Sequence, residues 1–272
     1  MPELPEVETI KEDLKKKILN TCITKFKVYD SRVIRNCSLR IFNRSIKNKL
    51  ITQVLRRGKA IIFKFYDGLG YLVIQPMMTG QLILAKKNVT TKFTKLTFKL
   101  SNDQYLHYND QRLFGRIHLV SDLKEIKYFC TLGPDPLSED FHIEWFEGEL
   151  KKRTMPIKSL LMNQNIISGI GNIYASEILF RSGINPQRPA LSLSKKEILD
   201  LYQATKAILK EAIRFRGTSM MNYRDGKGQR GRFLDRIKVY GRENEHCFRC
   251  GGLIQRLVLS GRSTFYCQNC QS

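Results

Sequence analysis

Thr131-Leu132-Gly133-Pro134-Asp135-Pro136-Leu137 divides this chain. Two prolines and a glycine so close together suit neither a helix interior nor a central strand, so the stretch is a connector. On its N-terminal side the pattern is β-rich. Ala60-Ile-Ile-Phe-Lys-Phe65, Tyr71-Leu-Val-Ile74, Gln81-Leu-Ile-Leu84, Leu96-Thr-Phe-Lys-Leu100 and Arg116-Ile-His-Leu-Val120 are short runs, punctuated by Asp67-Gly68 and Ser101-Asn102-Asp103. Many short strands at close spacing predict an antiparallel sandwich or barrel. On the C-terminal side the pattern turns helical, with helices predicted over 157–163 and 173–181. Ser194-Lys195-Lys196-Glu197 is a capping box that opens a longer helix to about Phe215. Ahead of the strands, Leu4, Val7, Ile10, Leu14 and Ile18 recur at spacings of three and four, which predicts an amphipathic helix over 5–19. The whole is an α+β pattern.

The charge names a class of partner. The chain has 272 residues, 47 Lys and Arg against 25 Asp and Glu, and a net charge of +22. That excess favours a polyanion, nucleic acid first and an anionic membrane second. It is spread along the chain: residues 11–60 hold 15 basic and three acidic side chains, and residues 214–272 hold twelve and four. No run of 18 apolar residues predicts a transmembrane helix. The N-terminus lacks the basic-then-apolar order of a signal peptide, so the expected compartment is the cytoplasm. Seven Cys there point to metal or free thiols rather than disulfides.

Four of those cysteines form Cys247-x2-Cys250-x16-Cys267-x2-Cys270. The spacing is that of a four-thiolate tetrahedral zinc site, and four protein ligands leave no open position, so one structural zinc is expected. Residues 253–259 and 263–266 read as two strands of a hairpin, with Arg256 and Arg262 on or beside it. Cys22, Cys37 and Cys130 read as buried thiols.

Three other stretches carry candidate chemistry. The N-terminus, Met1-Pro2-Glu3-Leu4-Pro5-Glu6-Val7-Glu8, reverses the sign of the chain, with three Glu and no base in ten residues. If Met1 is removed, Pro2 exposes a secondary α-amine, which loses its proton far more readily than a lysine. Carboxylates one helical turn away make this an amine nucleophile with an acid beside it, or simply a helix start with acids suited to the dipole. Gly169-Ile170-Gly171-Asn172 is a glycine-rich turn entering a helix, either a phosphate site or a tight turn without ligand. Arg112-Leu113-Phe114 sets a cation two positions from an aromatic, on one side at strand spacing. It is a wedge for a base stack, or a buried Phe and a surface Arg. Met77-Met78-Thr79-Gly80 is a strand end or turn. Residues 217–232 hold Gly217, Gly226, Gly228 and Gly231 and little apolar content, and read as a mobile loop.

Taken together these segments resemble the bacterial formamidopyrimidine-DNA glycosylases nearly end to end. The markers are Met1-Pro-Glu-Leu-Pro-Glu-Val-Glu-Thr9, Arg57-Gly-Lys59, Met78-Thr-Gly80, Asp110-Gln-Arg-Leu-Phe-Gly115, Gly169-Ile-Gly-Asn-Ile-Tyr-Ala-Ser-Glu177 and Gly261-Arg-Ser-Thr-Phe-Tyr-Cys267 with the four Cys. The resemblance implies a catalytic β-sandwich over 1–130, flanked by helices. A helix–two-turn–helix DNA-binding domain over 131–235 follows, with a lesion-covering loop at 217–232, and then a zinc hairpin over 236–272. It implies a monomeric base-excision enzyme that removes oxidised purines from damaged duplex DNA and cleaves the strand by β- and δ-elimination. Pro2 is then the nucleophile, Glu3 the acid–base group, Glu6 a second essential carboxylate, and Lys59 an active-site lysine near the lesion phosphate. Met78, Arg112 and Phe114 fill the gap left by a flipped base. Gly171 and Asn172 on one element and Arg262 on another clamp the phosphate.

Three departures stand out: Leu113 where a second Arg is common, Asn163 in place of a frequent Asp, and Gly241-Arg-Glu-Asn-Glu-His246 where Gly and Pro are more usual. The alternatives are an endonuclease VIII-type enzyme for oxidised pyrimidines, which typically has Gly in place of Leu4, and a non-enzymatic zinc-stabilised DNA-binding protein.

Overall fold

Val7, Ile10, Leu14 and Ile18 lie fully buried along one side of helix α1 (Leu4–Ile18) and open the core of the first compact unit, Met1–Cys130 with Phe215–Leu234. The structure is a computed structural model that describes residues 1–66, 68 and 70–272; Asp67 of the predicted Asp67-Gly68 turn lies outside the described residues. After α1 come β1 (Ile23–Val28), α2 (Leu39–Ile46), β2 (Ile51–Arg57), β3 (Ala60–Phe65), β4 (Tyr71–Gln75), β5 (Gln81–Ala85), β6 (Thr94–Leu100), β7 (Tyr105–Asn109), β8 (Arg116–Val120) and the short α3 (Lys127–Cys130). They make two four-stranded antiparallel sheets, ordered β1-β6-β7-β5 and β2-β3-β4-β8.

Phe98, Leu106, Tyr108 and Leu82 of one sheet and Val54, Phe63, Leu72, Ile74 and Ile117 of the other belong to one apolar cluster, completed by α1 and α2. This is the sandwich. Burying such side chains is the main favourable term in folding, at about 25 cal/mol per Å² of apolar surface removed from water.

The β-rich stretch is interrupted by α2, which the sequence does not predict as a helix. Ser38 caps it, its Oγ accepting the Ile41 N–H at 3.4 Å, and Phe42 and Ile46 bury one turn apart.

The second unit is Thr131–Arg214 with Asp235–Ser272. Its helices are α4 (Ile143–Lys151), α5 (Ile157–Met162), α6 (Asn172–Ser182) and α7 (Lys195–Arg214), and its hairpin is β9 (Ile254–Leu259) with β10 (Arg262–Cys267). The capping box at the start of α7 is formed: Ser194 N–H donates to Glu197 Oε2 at 2.7 Å, and Glu197 N–H to Ser194 Oγ at 3.3 Å. Gly183 ends α6 in the left-handed conformation at φ +73°. Glu177, buried in α6, accepts the backbone N–H groups of Lys238, Val239 and Tyr240 at 2.8–3.0 Å and so fixes the lead-in to the zinc hairpin. Burial pushes its carboxyl above the usual range, against the pull of those three donors. Among the described residues no helix is long and apolar enough to cross a membrane.

Candidate active site and metal centre

Backbone hydrogen bonds hold the N-terminal carboxylates. Met1 is half exposed at 53%, whereas Pro2, Glu3 and Glu6 are buried. Glu3 N–H donates to Glu6 Oε2 at 2.8 Å. The other oxygen of Glu6, Oε1, accepts the Thr218 N–H at 2.7 Å. Gly217 beside it has φ +76°, and a Cβ there would lie 2.7 Å from Glu6 Oε1, so only glycine fits. The 217–232 segment carries neither strand nor α-helix, but it is not the loose loop that its glycines predict. Thr218, Ser219 and Asp225 are buried, and each accepts or donates hydrogen bonds within this unit.

Lys59 sits in the two-residue turn of the β2–β3 hairpin. Gly58, at φ +55°, supplies the left-handed first position that such a turn needs. Contacts from Tyr128 and Arg56 fix the turn. Lys59 N–H donates to Tyr128 Oη at 3.2 Å, and Arg56 donates to Gly58 O at 3.1 Å while its Nε reaches Glu8 Oε2 of α1 at 2.6 Å. Helix α1 and the lysine turn are therefore joined through this ion pair, with Arg56 at 7% and Glu8 at 18% side-chain exposure. Burial works against the Glu8 anion, but Arg56 and Lys11 beside it hold the carboxyl below the usual range of about 4.5. A depressed carboxylate confers stability that is present above the unfolded value and lost as the pH falls through the folded one. Glu8→Gln should thus cost about 2 kcal/mol at pH 7, less than the roughly 3–5 of a fully buried pair. The gap between wild-type and variant melting temperatures should close as the pH drops below 4.5.

Met78, Arg112 and Phe114 lie on two turns that share one buried anchor, Asp110. Its Oδ2 accepts Gly115 N–H at 2.8 Å, and its Oδ1 accepts Arg112 N–H at 3.2 Å and the Thr79 hydroxyl. The Thr79 oxygen in turn accepts Arg112 N–H at 3.0 Å, tying the Met77–Gly80 turn to the 110–115 turn. Arg112 and Phe114 are not at strand spacing as predicted, because this segment is a bend in which Leu113 adopts φ +58°. The bend stacks the Arg112 guanidinium 4.6 Å from the Phe114 ring centroid. Phe114 and Met78 are 45% and 42% exposed, unusual for large apolar side chains held by so ordered a frame. Leu113, the departure from the expected Arg, packs against the sandwich core. Asp110 follows the last residue of β7, and an Asp closing a strand ahead of a turn is a backbone acceptor by habit, a signal legible in the sequence.

In the second unit, Gly171 caps α6 and Asn172 is its first residue; Gly169 takes φ +91° to make the turn. The Asn172 side chain is tethered to the hairpin: its Nδ2 donates to Ser263 O at 2.9 Å, and its Oδ1 accepts from Lys158 Nζ at 2.6 Å. Lys158 is 1% exposed and also donates to Ser263 O and Thr264 Oγ1, at 3.0 and 2.7 Å. The residue after Arg262 is therefore bonded to Asn172, and Arg262 itself is exposed at the start of β10. No sequence signal marks a helical lysine as a buried bracket of this kind.

The four sulfur atoms of Cys247, Cys250, Cys267 and Cys270 all lie within 4.8 Å of one another, with Cys250–Cys267 at 3.4 Å and Cys247–Cys270 at 3.9 Å. Four sulfurs at about 2.3 Å from a tetrahedral zinc would be about 3.8 Å apart. The donor set, four cysteine sulfurs close enough to share one ion, fits zinc. Ser260 and Gly261, at φ +48° and +71°, make the tight turn that brings the two pairs together.

Three family models match the chain in order. They are the formamidopyrimidine-DNA glycosylase N-terminal domain over residues 1–117, the formamidopyrimidine-DNA glycosylase H2TH domain over 132–223, and the zinc finger found in FPG and IleRS over 244–272. A curated relative, the formamidopyrimidine-DNA glycosylase of Pelotomaculum thermopropionicum, is 42% identical over 100% of this chain and 99% of its own length. Among solved structures, a Lactococcus lactis Fpg variant in complex with Fapy-dG-containing DNA superposes with a TM-score of 0.91 at 34% identity, covering 100% of both chains. The L. lactis Fpg bound to abasic-site DNA gives 0.91 at 34%, covering 99% of each. The sandwich, the helical unit and the four-cysteine hairpin thus come in the order, and with the sequence, of one lineage, and the chain belongs to the formamidopyrimidine-DNA glycosylase family.

Proposed function

We propose that this chain excises oxidised purines, 8-oxoguanine and formamidopyrimidines, from duplex DNA and cleaves the strand at the abasic site that results. The observation that carries the reading is the buried N-terminal cluster. Both oxygens of Glu6 are occupied by backbone N–H groups, one of them from Glu3, so the chain on either side of Glu3 is held in place. With Met1 removed, the Pro2 nitrogen attacks C1′ and the bond to the damaged base breaks. Glu3 delivers a proton to the sugar-ring oxygen, the ring opens, and an iminium remains. A proline iminium has no N–H to lose, so its charge is fixed. That charge acidifies C2′, and loss of a C2′ proton expels the 3′ phosphate; loss of the C4′ proton of the conjugated iminium so formed then expels the 5′ phosphate.

The other residues bind and orient. Lys59 serves the lesion phosphate, Met78, Arg112 and Phe114 occupy the space of the extruded nucleotide, and Gly171, Asn172 and Arg262 grip the backbone. Residues 1–130 would then carry the chemistry, 131–235 the phosphate grip and lesion cover, and 236–272 the zinc hairpin. With four thiolate ligands the metal has no position for substrate, and its part is structural. The protein acts as a monomer in the cytoplasm.

Support comes from relatives solved with Fapy-dG and abasic DNA and from the charge of +22. Duplexes carrying 8-oxoguanine or thymine glycol test the reading. Faster cleavage of the 8-oxoguanine strand is expected. A strong preference for thymine glycol would assign the chain to oxidised pyrimidines instead, and cleavage of neither would leave a DNA-binding protein.

A further inference from the structure

A second charged cluster lies in the first unit, next to the Glu6–Thr218 contact. Arg216, which directly precedes Gly217, reaches two buried carboxylates. Its guanidinium bonds Asp13 Oδ2 on the α1 helix, and its Nε donates to Asp225 Oδ2 at 2.7 Å. Asp13 and Asp225 side chains are 7% and 0% exposed. Asp225 Oδ1 accepts the N–H groups of Lys227 and Gln229 at 2.9 and 2.8 Å. The backbone of Gly226 lies directly on Asp13: a Cβ at Gly226 would come within 2.7 Å of the Asp13 Cβ. Arg216 itself is held at φ +63°, a conformation costly for a residue with a side chain. Buried charges persist only when paired, and a planar guanidinium can serve two carboxylates where an ammonium cannot keep the same fork.

We propose that Asp13, Arg216 and Asp225 are positioning residues for the reaction centre, because they fix the chain at Gly217–Thr218, whose N–H orients Glu6 and through it Glu3 and Pro2. The path is short and made of named contacts. Arg216 is two residues from Thr218; Thr218 N–H holds Glu6 Oε1 at 2.7 Å, and Glu6 Oε2 holds Glu3 N–H at 2.8 Å. If the cluster loosens, the Gly217–Thr218 backbone moves, Glu6 turns, and the atom bonded next to Pro2 loses its partner. A misplacement of about 1 Å in an attacking group can cost 100-fold in rate. The inference rests on the activity proposed above, and abasic-site DNA isolates it from recognition of a damaged base.

The test compares wild type, Asp13→Asn and Asp13→Glu as full-length chains on an abasic-site duplex. It measures kcat, KM, the single-turnover rate of borohydride trapping, and melting temperature. Asp13→Asn keeps the shape and leaves the Arg216–Asp225 pair intact, whereas removing Arg216 would leave two buried carboxylates facing each other. A core variant, Val54→Ala, controls for lost stability alone. The expected result is a fall of about tenfold or more in kcat and trapping rate for Asp13→Asn with KM nearly unchanged, recovery in Asp13→Glu, and full kcat in Val54→Ala. An Asp13→Asn protein that melts earlier but traps at the wild-type rate would overturn the inference, as would a loss confined to KM. Absence of trapping in the wild type would contradict the assigned activity itself, and the inference with it.

Discussion

Retaining Met1, or replacing Pro2 by Gly, should remove strand cleavage at an abasic site, by on the order of 10⁴-fold or more, the scale on which losing an attacking group usually registers. The two changes act differently. An unprocessed Met1 converts the Pro2 nitrogen into an amide with no lone pair to offer. Pro2→Gly leaves a primary amine, whose imine can shed its proton and with it the charge that drives elimination. Neither should weaken DNA binding much, since Pro2 is buried and uncharged groups contribute little to phosphate contacts. The melting temperature should also hold, because Leu4, Val7 and Ile10 anchor the helix independently. A gel assay of cleavage beside a filter-binding curve separates the two quantities. Loss of binding in step with cleavage would show that the N-terminus serves recognition rather than chemistry.

The second large effect is expected at the metal. The apolar cluster under the hairpin is small: Phe180, Val239, Cys247, Ile254 and Cys267, with Phe265 and Cys270 against it. Two of its buried members are metal ligands. Structural zinc sites supply about 10–16 kcal/mol of apparent folding free energy in finger peptides, far more than so few side chains can replace. Cys267→Ser, or chelation, should unfold 244–272 while leaving the sandwich intact. The tether from Ser263 to Asn172 and the display of Arg262 go with it. Two lost charge-assisted contacts at roughly 1.5 kcal/mol each make about a hundredfold loss of DNA affinity. Zinc content by mass spectrometry should fall from one to zero per chain, and Cys130→Ser, an exposed thiol outside the cluster, should change neither.

The fold was legible where a short apolar run or a 3.6-residue apolar period is unbroken. β3 and β8 have the bounds that their apolar runs predict, and α1 and α7 shift by a residue at their ends. β6 begins at Thr94 rather than Leu96, and the pairing register shifts between those two residues, outside the apolar run that marks the strand. The same kind of slip between Ile51 and Gln53 hides β2. In α2 the Ser38 cap and the Phe42–Ile46 spacing were present to be read, but eight residues inside a β-rich stretch carry little weight. The four cysteines were legible because the ligands come as two near-neighbour pairs and the chemistry fixes the spacing. The supports of the N-terminal site were not. Arg216 and Asp13 are 203 residues apart, and nothing local to either says that they meet. Lys158 shows the same limit: a charged residue reads as solvated until the fold buries it with its partners.

The α-amine of Pro2 is expected to form the covalent intermediate. Borohydride reduction of the protein on abasic-site DNA, followed by proteolysis and mass spectrometry of the cross-linked peptide, tests it most directly. The predicted result is a deoxyribose remnant on the nitrogen of an N-terminal peptide that begins with Pro2, Met1 being absent. A remnant on a lysine side chain, Lys59 foremost, with an unmodified N-terminus, would contradict the account.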